Sequence, residues 1–275
     1  MTKKMQIFFI TSRVVISLAF LLYASWKDYR AREVSNRVWM VYAPIALVLS
    51  LSELTIYEPG RLPAFGLSFG VTAVIAVLLF YTGGFGGADS KALMCIALAL
   101  PFSVGTMVGP LSVLGESPLA LNLYPLTIFS NGVLFAAATG IYLLLYNVLW
   151  HARNGKKFFE GTLVKEPVSK KLLVMITSHR VLLQKLKETW HIYPMEDVQT
   201  ENQNNLPKRT LLVVPKDEGR EEIVTRLSQA VDAAKIDNQV WATPGLPMLI
   251  FITAGFVVSL VIGDVVWELI SAVLR

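Results

Sequence analysis

Six apolar stretches separate the polar segments of the chain: Ile7–Ala24, Val38–Leu54, Leu62–Tyr81, Ala92–Val108, Leu126–Trp150 and Leu246–Ile262. Each approaches the roughly 20 mainly apolar residues that a helix needs to cross the hydrocarbon of a bilayer. The pattern predicts an all-α polytopic membrane bundle of six transmembrane helices. The segment 151–245 breaks this rhythm with an ordinary soluble composition, and it is expected to fold as a small α+β cytoplasmic domain between helices five and six. The expected organisation is a membrane domain over 1–150, the soluble domain over 151–245, and the sixth transmembrane helix within 246–275.

Inside the soluble segment, Leu172–Ile176 and Leu211–Val214 read as short strands, the second bounded by Pro207 and Pro215. Thr200–Pro207 reads as a polar, Asn-rich loop. Glu218–Ala234 has helical spacing, with Ile223, Leu227, Ala230 and Val231 on one face. In the third span, Gly66 and Gly70 form a small-xxx-small pair that permits close helix packing.

Composition agrees with lipid as the solvent: 54% of the 275 residues are hydrophobic and only 16% are charged, outside the range of ordinary soluble domains. Lys3 and Lys4 precede the first apolar run as in a signal peptide. That run, however, ends in Trp26, Lys27 and Asp28 and not in a small-residue cleavage site, so it is retained as a helix. The net charge of +5 is explained by where the cations sit, and no nucleic-acid partner is expected. Lys27, Arg30, Arg32 and Arg37 follow the first span, Lys91 precedes the fourth, and most of the rest lie in 151–245. By contrast, Thr55–Arg61 offers one Arg and Gly109–Pro125 none. The positive-inside rule then places both termini outside and the basic loops in the cytoplasm of a multi-pass cell-membrane protein, with Lys3, Lys4 and Arg13 as the opposing charges. The basic surface is expected to meet anionic headgroups, which makes membrane lipids a partner. The lone Cys95 reads as a small buried apolar side chain. His151, His179 and His191 are scattered, and no metal or other cofactor is expected.

Charged side chains at the edge of a membrane helix are costly and need a reason. Asp28 closes the first helix, where the macrodipole disfavours a carboxylate. Pairing with Lys27, Arg30 or Arg32 explains it equally well. Asp89 opens the fourth helix after Gly83-Gly84-Phe85-Gly86-Gly87-Ala88. A helix cap explains an Asp there. It does not explain four glycines, which permit positive φ and the close approach of an extended peptide. The positive end of the fourth helix favours an ionised Asp89 and the negative end of the first a protonated Asp28. The pair would supply one general base and one general acid, hydrolysing a peptide through an activated water with no metal and no covalent intermediate. Asp264 and Glu268, four apart on one helical face, are expected at the outer surface and away from this pair.

The stretch Asp28-Tyr-Arg-Ala-Arg-Glu-Val-Ser-Asn36 resembles the first signature of type IV prepilin peptidases and archaeal preflagellin peptidases. Gly86-Gly87-Ala88-Asp89-Ser90-Lys91 resembles their second, a GxGD motif with a following Lys. Ala88 stands in place of the second Gly, and Ser35 where a Pro often precedes the Asn. The likeness covers roughly residues 7–110, and Trp241-Ala-Thr-Pro-Gly-Leu-Pro247 before the last helix is similar to the archaeal branch. The CxxC pairs of the bacterial branch are absent, so methyltransferase activity is not implied. The resemblance implies a membrane aspartic protease with Asp28 and Asp89 as the catalytic pair. Gly83, Gly84, Gly86, Gly87, Asn36 and Lys91 would bind substrate or shape the loop. Asn36 also reads as a cap of the second helix and Lys91 as a snorkelling cation. The implied reaction removes the short basic leader of preflagellin or pilin-like precursors at the cytoplasmic membrane face. Two other readings stay open. A presenilin-like intramembrane protease shares GxGD but holds its aspartates deep within spans. A transporter or scaffold would bind protons or cations on the Asp pair, although the spans lack the broken, duplicated helices common in transporters.

Overall fold

A computed structural model describes residues 2–106, 117–199, 208–213 and 219–274. In chain order, the elements begin with α1 (Thr2–Ala31), α2 (Asn36–Tyr57), α3 (Leu62–Tyr81), α4 (Gly87–Ala99), α5 (Pro118–Asn122) and α6 (Tyr124–Asn154). Then come α7 (Val168–Thr177), β1 (His179–Leu182), α8 (Leu183–Glu188), β2 (Ile192–Pro194), β3 (Glu196–Gln199), β4 (Lys208–Leu211), α9 (Arg220–Asp232) and β5 (Gln239–Pro244). The chain closes with α10 (Met248–Val261) and α11 (Val265–Val273). It divides into two compact units: Met1–Ala136 with Pro247–Arg275, and Ala137–Leu246.

The first unit is helical. Among the described residues, four helices are long and apolar enough to cross a membrane: Lys4–Ala31, Asn36–Tyr57, Pro59–Tyr81 and Tyr124–Asn154. The pair α10 and α11, bent by 66° at a short break, adds a fifth if it forms one span. Apolar side chains cover the outside of these helices: Val48, Leu67 and Val74 are 62%, 66% and 59% exposed. Water penalises such a surface and lipid does not, so this is a multi-pass membrane protein.

The fourth apolar run departs from expectation. Its helix, α4, stops at Ala99 because Leu100 precedes Pro101, which excludes the helical conformation at the residue before it. Thirteen residues rise only about 20 Å, less than the hydrocarbon thickness of roughly 30 Å. Met107 and Val108 lie outside the described residues. α4 is instead the centre of the unit, with Ala92, Leu93, Cys95, Ile96, Ala97 and Ala99 buried among α1, α2, α3 and α10. Its small side chains let the surrounding helices close in.

Close packing also falls on different glycines from those expected. A Cβ at Gly66 or Gly70 would meet open space, so neither serves a tight crossing. The tight crossing joins α6 to α10. A Cβ on Gly255 would collide with the Ile128 carbonyl and come within 2.6 Å of the Gly132 nitrogen, while one on Gly132 would lie 2.9 Å from the Phe251 carbonyl.

Asp264, expected with Glu268 on one helical face near the end of the last span, is instead the residue before α11. It is buried in the break between α10 and α11. There it caps α11 by accepting the Trp267 N–H at 3.0 Å, and it accepts the Ser117 and Thr127 hydroxyls at 2.7 and 3.3 Å. A polar segment that breaks a span must satisfy its backbone inside the protein, and Asp264 does so.

In the second unit, β5 is the middle strand of an antiparallel sheet of order β1-β5-β2, and β3 pairs antiparallel with β4. Leu172–Ile176, expected as a strand, belongs to α7. α7 follows Pro167 and holds Lys170, Lys171, Leu172, Leu173 and Met175, which are good helix formers. The second expected strand starts earlier, as β4 runs Lys208–Leu211 and Leu212 and Val213 lie beyond it. Val214 and the expected loop Thr200–Pro207 lie outside the described residues. The predicted helix appears as α9, with Ile223, Leu227 and Ala230 buried. The central strand β5 carries no sequence signal because Val240, Trp241 and Ala242 are all buried, which erases the alternation of a half-exposed strand. Glu196, fully buried, is matched by Arg209, whose Nη2 donates to both carboxylate oxygens at 2.9 and 2.8 Å.

Candidate active site

Asp28 lies one turn from the end of α1, half-buried. Beyond it the chain turns sharply: Arg32 takes a left-handed conformation with φ 53° and donates its N–H to the Asp28 carbonyl at 2.9 Å. Side chains at this end of α1 have interfacial character. Trp26 and Tyr29 are exposed, and Lys27 and Arg30 stack over the Trp26 ring at 5.1 and 5.6 Å. Aromatic rings with cationic neighbours mark the headgroup level of a membrane helix. Of the neighbouring cations, Arg32 acts electrostatically on the Asp28 carboxylate.

A feature that sequence reasoning missed is the start of α10. Its first turn packs against α1: Ser25 Oγ donates to the Leu249 carbonyl at 2.9 Å and lies 2.7 Å from the Thr253 hydroxyl. The Leu249 backbone N–H then hydrogen-bonds the Asp28 carboxylate. Amides in the first turn of a helix have no partner within it and attract anions. Asp28 therefore faces the positive end of α10 as well as the negative end of its own helix. The signal was the Pro-Gly-Leu-Pro247 run, which reads as a helix start but does not say which side chain that helix meets.

Asp89 sits in the first turn of α4, also half-buried. It is not the capping residue; Gly86 occupies that position, and Asp89 Oδ2 accepts the Gly86 N–H at 3.0 Å. Among the described residues no hydrogen bond reaches Oδ1, which leaves it for water or a substrate. Ser90 Oγ lies 3.1 Å from the Ala76 carbonyl, fixing the start of α4 to α3.

The glycine loop divides by role. Gly83, with φ 75°, ends α3 in a Schellman arrangement: Gly83 N–H donates to Phe80 O at 3.1 Å and Gly84 N–H to Leu79 O at 2.9 Å. Gly84, Gly86 and Gly87 keep ordinary φ. Gly86 is constrained by space, since a Cβ there would stand 3.1 Å from Asp89 Oδ2. Ala88 is already within the helix, so the position where the motif differs carries no demand for glycine. Phe85 is buried and packs edge-on against Phe129, anchoring the loop.

The two softer candidates meet each other. Lys91 Nζ donates to Asn36 Oδ1 at 2.7 Å, joining α4 to the start of α2. The cap of α2 is Ser35, whose Oγ accepts the Arg37 N–H at 3.4 Å, so Asn36 is free for Lys91. α1 and α4 are in contact, and the carboxylates of Asp28 and Asp89 lie within electrostatic reach of one another. Beside them an open groove of about 590 Å³ is lined by Tyr23, Lys27, Glu33, Val34, Asn36 and Arg37. The arrangement sets two acids within electrostatic reach of each other and an open groove at the α1–α2 connection.

Comparison with known proteins gives concordant matches. The family model described as Type IV leader peptidase family matches residues 15–149, and that described as Archaeal Peptidase A24 C-terminus Type II matches residues 170–265. A protein named preflagellin peptidase from Methanococcus voltae is 28% identical over 261 residues, covering 93% of this chain and 97% of that protein. Another of that name from Methanococcus maripaludis (strain C6) is 24% identical over 263 residues, covering 91% and 94%.

Proposed function

This chain belongs to the archaeal branch of the type IV leader peptidase family, and from that premise we propose that it is an aspartic endopeptidase removing the short leader of preflagellin-like precursors. Membership makes it a peptidase; the choice of substrate follows the names of its relatives. The observation that supports the mechanism is that Asp28 and Asp89, from two motifs far apart in the chain, lie within electrostatic reach of one another, with one oxygen of Asp89 unengaged among the described residues.

In this mechanism one carboxylate is ionised and takes a proton from the bound water. The other is protonated and donates to the carbonyl oxygen of the scissile peptide as the water oxygen bonds to its carbon. As the C–N bond breaks, the first carboxylate passes the water's proton to the leaving amine and the second recovers its own from the diol. The first turn of α10 beside Asp28 and the Gly86 N–H on Asp89 supply donors to whichever carboxylate is ionised and offset part of the cost of its burial. The groove beside Asn36 would hold the leader while the precursor's apolar helix lies against the bundle.

The cytoplasmic face is the side we assign to the site, on the Lys and Arg content of the loop after α1 and of residues 151–245. Arg13, one of the opposing charges, is ion-paired with Glu53 and adds no free charge to the other side. Counting the fourth apolar run as a crossing on its sequence, and α10 with α11 as another, we assign six spans and place 151–245 in the cytoplasm.

The test is direct. Membranes carrying this chain, mixed with a tagged precursor bearing a basic leader, are expected to yield a product shortened at the leader junction, with or without excess chelator. Failure to cleave would overturn the peptide-hydrolysis reading, and loss of cleavage in chelator would overturn the two-carboxylate mechanism. Lys91→Met and Asn36→Ala are each expected to slow cleavage about tenfold, the worth of one charge-assisted hydrogen bond of about 1.5 kcal/mol. Because they share that bond, the double variant should be no slower than either single; losses that multiply would mean the two residues act separately.

A further inference from the structure

Arg13 is buried within α1 at the end of the bundle away from Asp28. One arm of its guanidinium, Nη2, pairs with Glu53 on α2. The other, Nη1, donates to the Ala99 carbonyl at 2.9 Å and lies 3.4 Å from Ser50 Oγ. Ser50 in turn donates to the Leu98 carbonyl at 2.6 Å. Leu98 and Ala99 are in the last turn of α4, whose ladder ends before Pro101. The open carbonyls at that end are therefore taken by side chains of α1 and α2.

Placing an ionised pair inside a membrane bundle is costly, and a buried pair can often be exchanged for matched neutral side chains with no loss of stability. What the pair supplies is register. On α1, Asp28 lies 28 − 13 = 15 residues beyond Arg13; on α4, Asp89 lies 99 − 89 = 10 residues before Ala99. At about 1.5 Å per residue these are separations of roughly 22 and 15 Å along their helices. The difference, roughly 7 Å at the same rise per residue, is a length that an extended arginine side chain spans. With the guanidinium on Ala99, ideal helix geometry brings the two aspartates to about the same level.

We propose that Arg13 and Glu53 form a register clamp that sets Asp28 opposite Asp89 from the far end of α1 and α4. They are positioning residues. The consequence for cleavage rests on the aspartates being the catalytic pair, whereas the geometric consequence stands without that reading.

The test uses the full chain in lipid nanodiscs. In a Cys95→Ala background, which removes the single native cysteine, cysteines at positions 28 and 89 are spin-labelled and their separation is read from dipolar broadening. Arg13→Gln combined with Glu53→Gln is expected to lengthen and broaden that separation while thermal unfolding stays near that of the parent. In chains with both native aspartates, the same pair of substitutions is expected to lower kcat about tenfold with KM unchanged. Arg13→Lys, which keeps the charge but cannot hold Glu53 and Ala99 with one fork, should shift both readouts the same way. If the neutral pair does not accumulate, the lysine variant decides. An unchanged label separation overturns the clamp whatever the kinetics. A changed separation in a chain whose parent cleaves no precursor upholds the clamp and removes the protease reading.

Discussion

Asp28→Asn and Asp89→Asn are each expected to slow leader cleavage by about 10³-fold or more, measured as initial rates on a tagged precursor at equal amounts of membrane-inserted chain. General acid–base catalysis contributes roughly 10²–10⁴-fold per group. In the proposed mechanism both carboxylates take part in the proton transfers, and neither can be replaced by the other. Asparagine is close in shape and can still accept the Gly86 N–H at position 89 and the Leu249 N–H at position 28. The fold should therefore survive, and the loss should report chemistry. Since the two act as a unit, the double variant is expected to be no worse than the weaker single. A single variant that cleaves at the parent rate removes that aspartate from the mechanism.

The second large effect is structural. Gly255→Ala is expected to destabilise the bundle by about 1–3 kcal/mol or more, because overpacking in a rigid core costs that much and the added methyl would strike backbone on α6. A side-chain clash can be relieved by a rotamer change; a clash with the Ile128 carbonyl and the Gly132 nitrogen can be relieved only by separating two helices. In lipid, no hydrophobic force draws helices together, so backbone approach of this kind holds them. Gly66→Ala and Gly70→Ala, which face open space, should stay within about 0.5 kcal/mol of the parent. Thermal unfolding of the detergent-solubilised chain separates these cases. An unchanged transition in Gly255→Ala would mean that α6 and α10 do not cross as described.

Much of the candidate site was legible because the residues proposed for it are local in the chain. Asp28 and Asn36 fall in one short segment, and Asp89 and Lys91 in another; the cost of charge beside apolar runs marks both. The bond between Lys91 and Asn36 was not legible, since each side chain alone has an ordinary explanation. The same holds for the glycine loop. Composition says that the chain must bend there, but only coordinates separate Gly83, which needs positive φ, from Gly86, which needs room beside Asp89.

By itself, the sequence determined that this chain lives in a membrane, where its apolar helices lie, that a polar segment interrupts them, and which two acids demand a reason. These are properties of runs and of single residues, and a lipid solvent reads them one segment at a time. The tertiary structure alone decided that α4 is a short central helix, that Gly255 and Gly132 make the close crossing, that Asp264 is a buried cap, and that the start of α10 faces Asp28. Each depends on which neighbour supplies the missing hydrogen bond or volume, and that neighbour lies elsewhere in the chain.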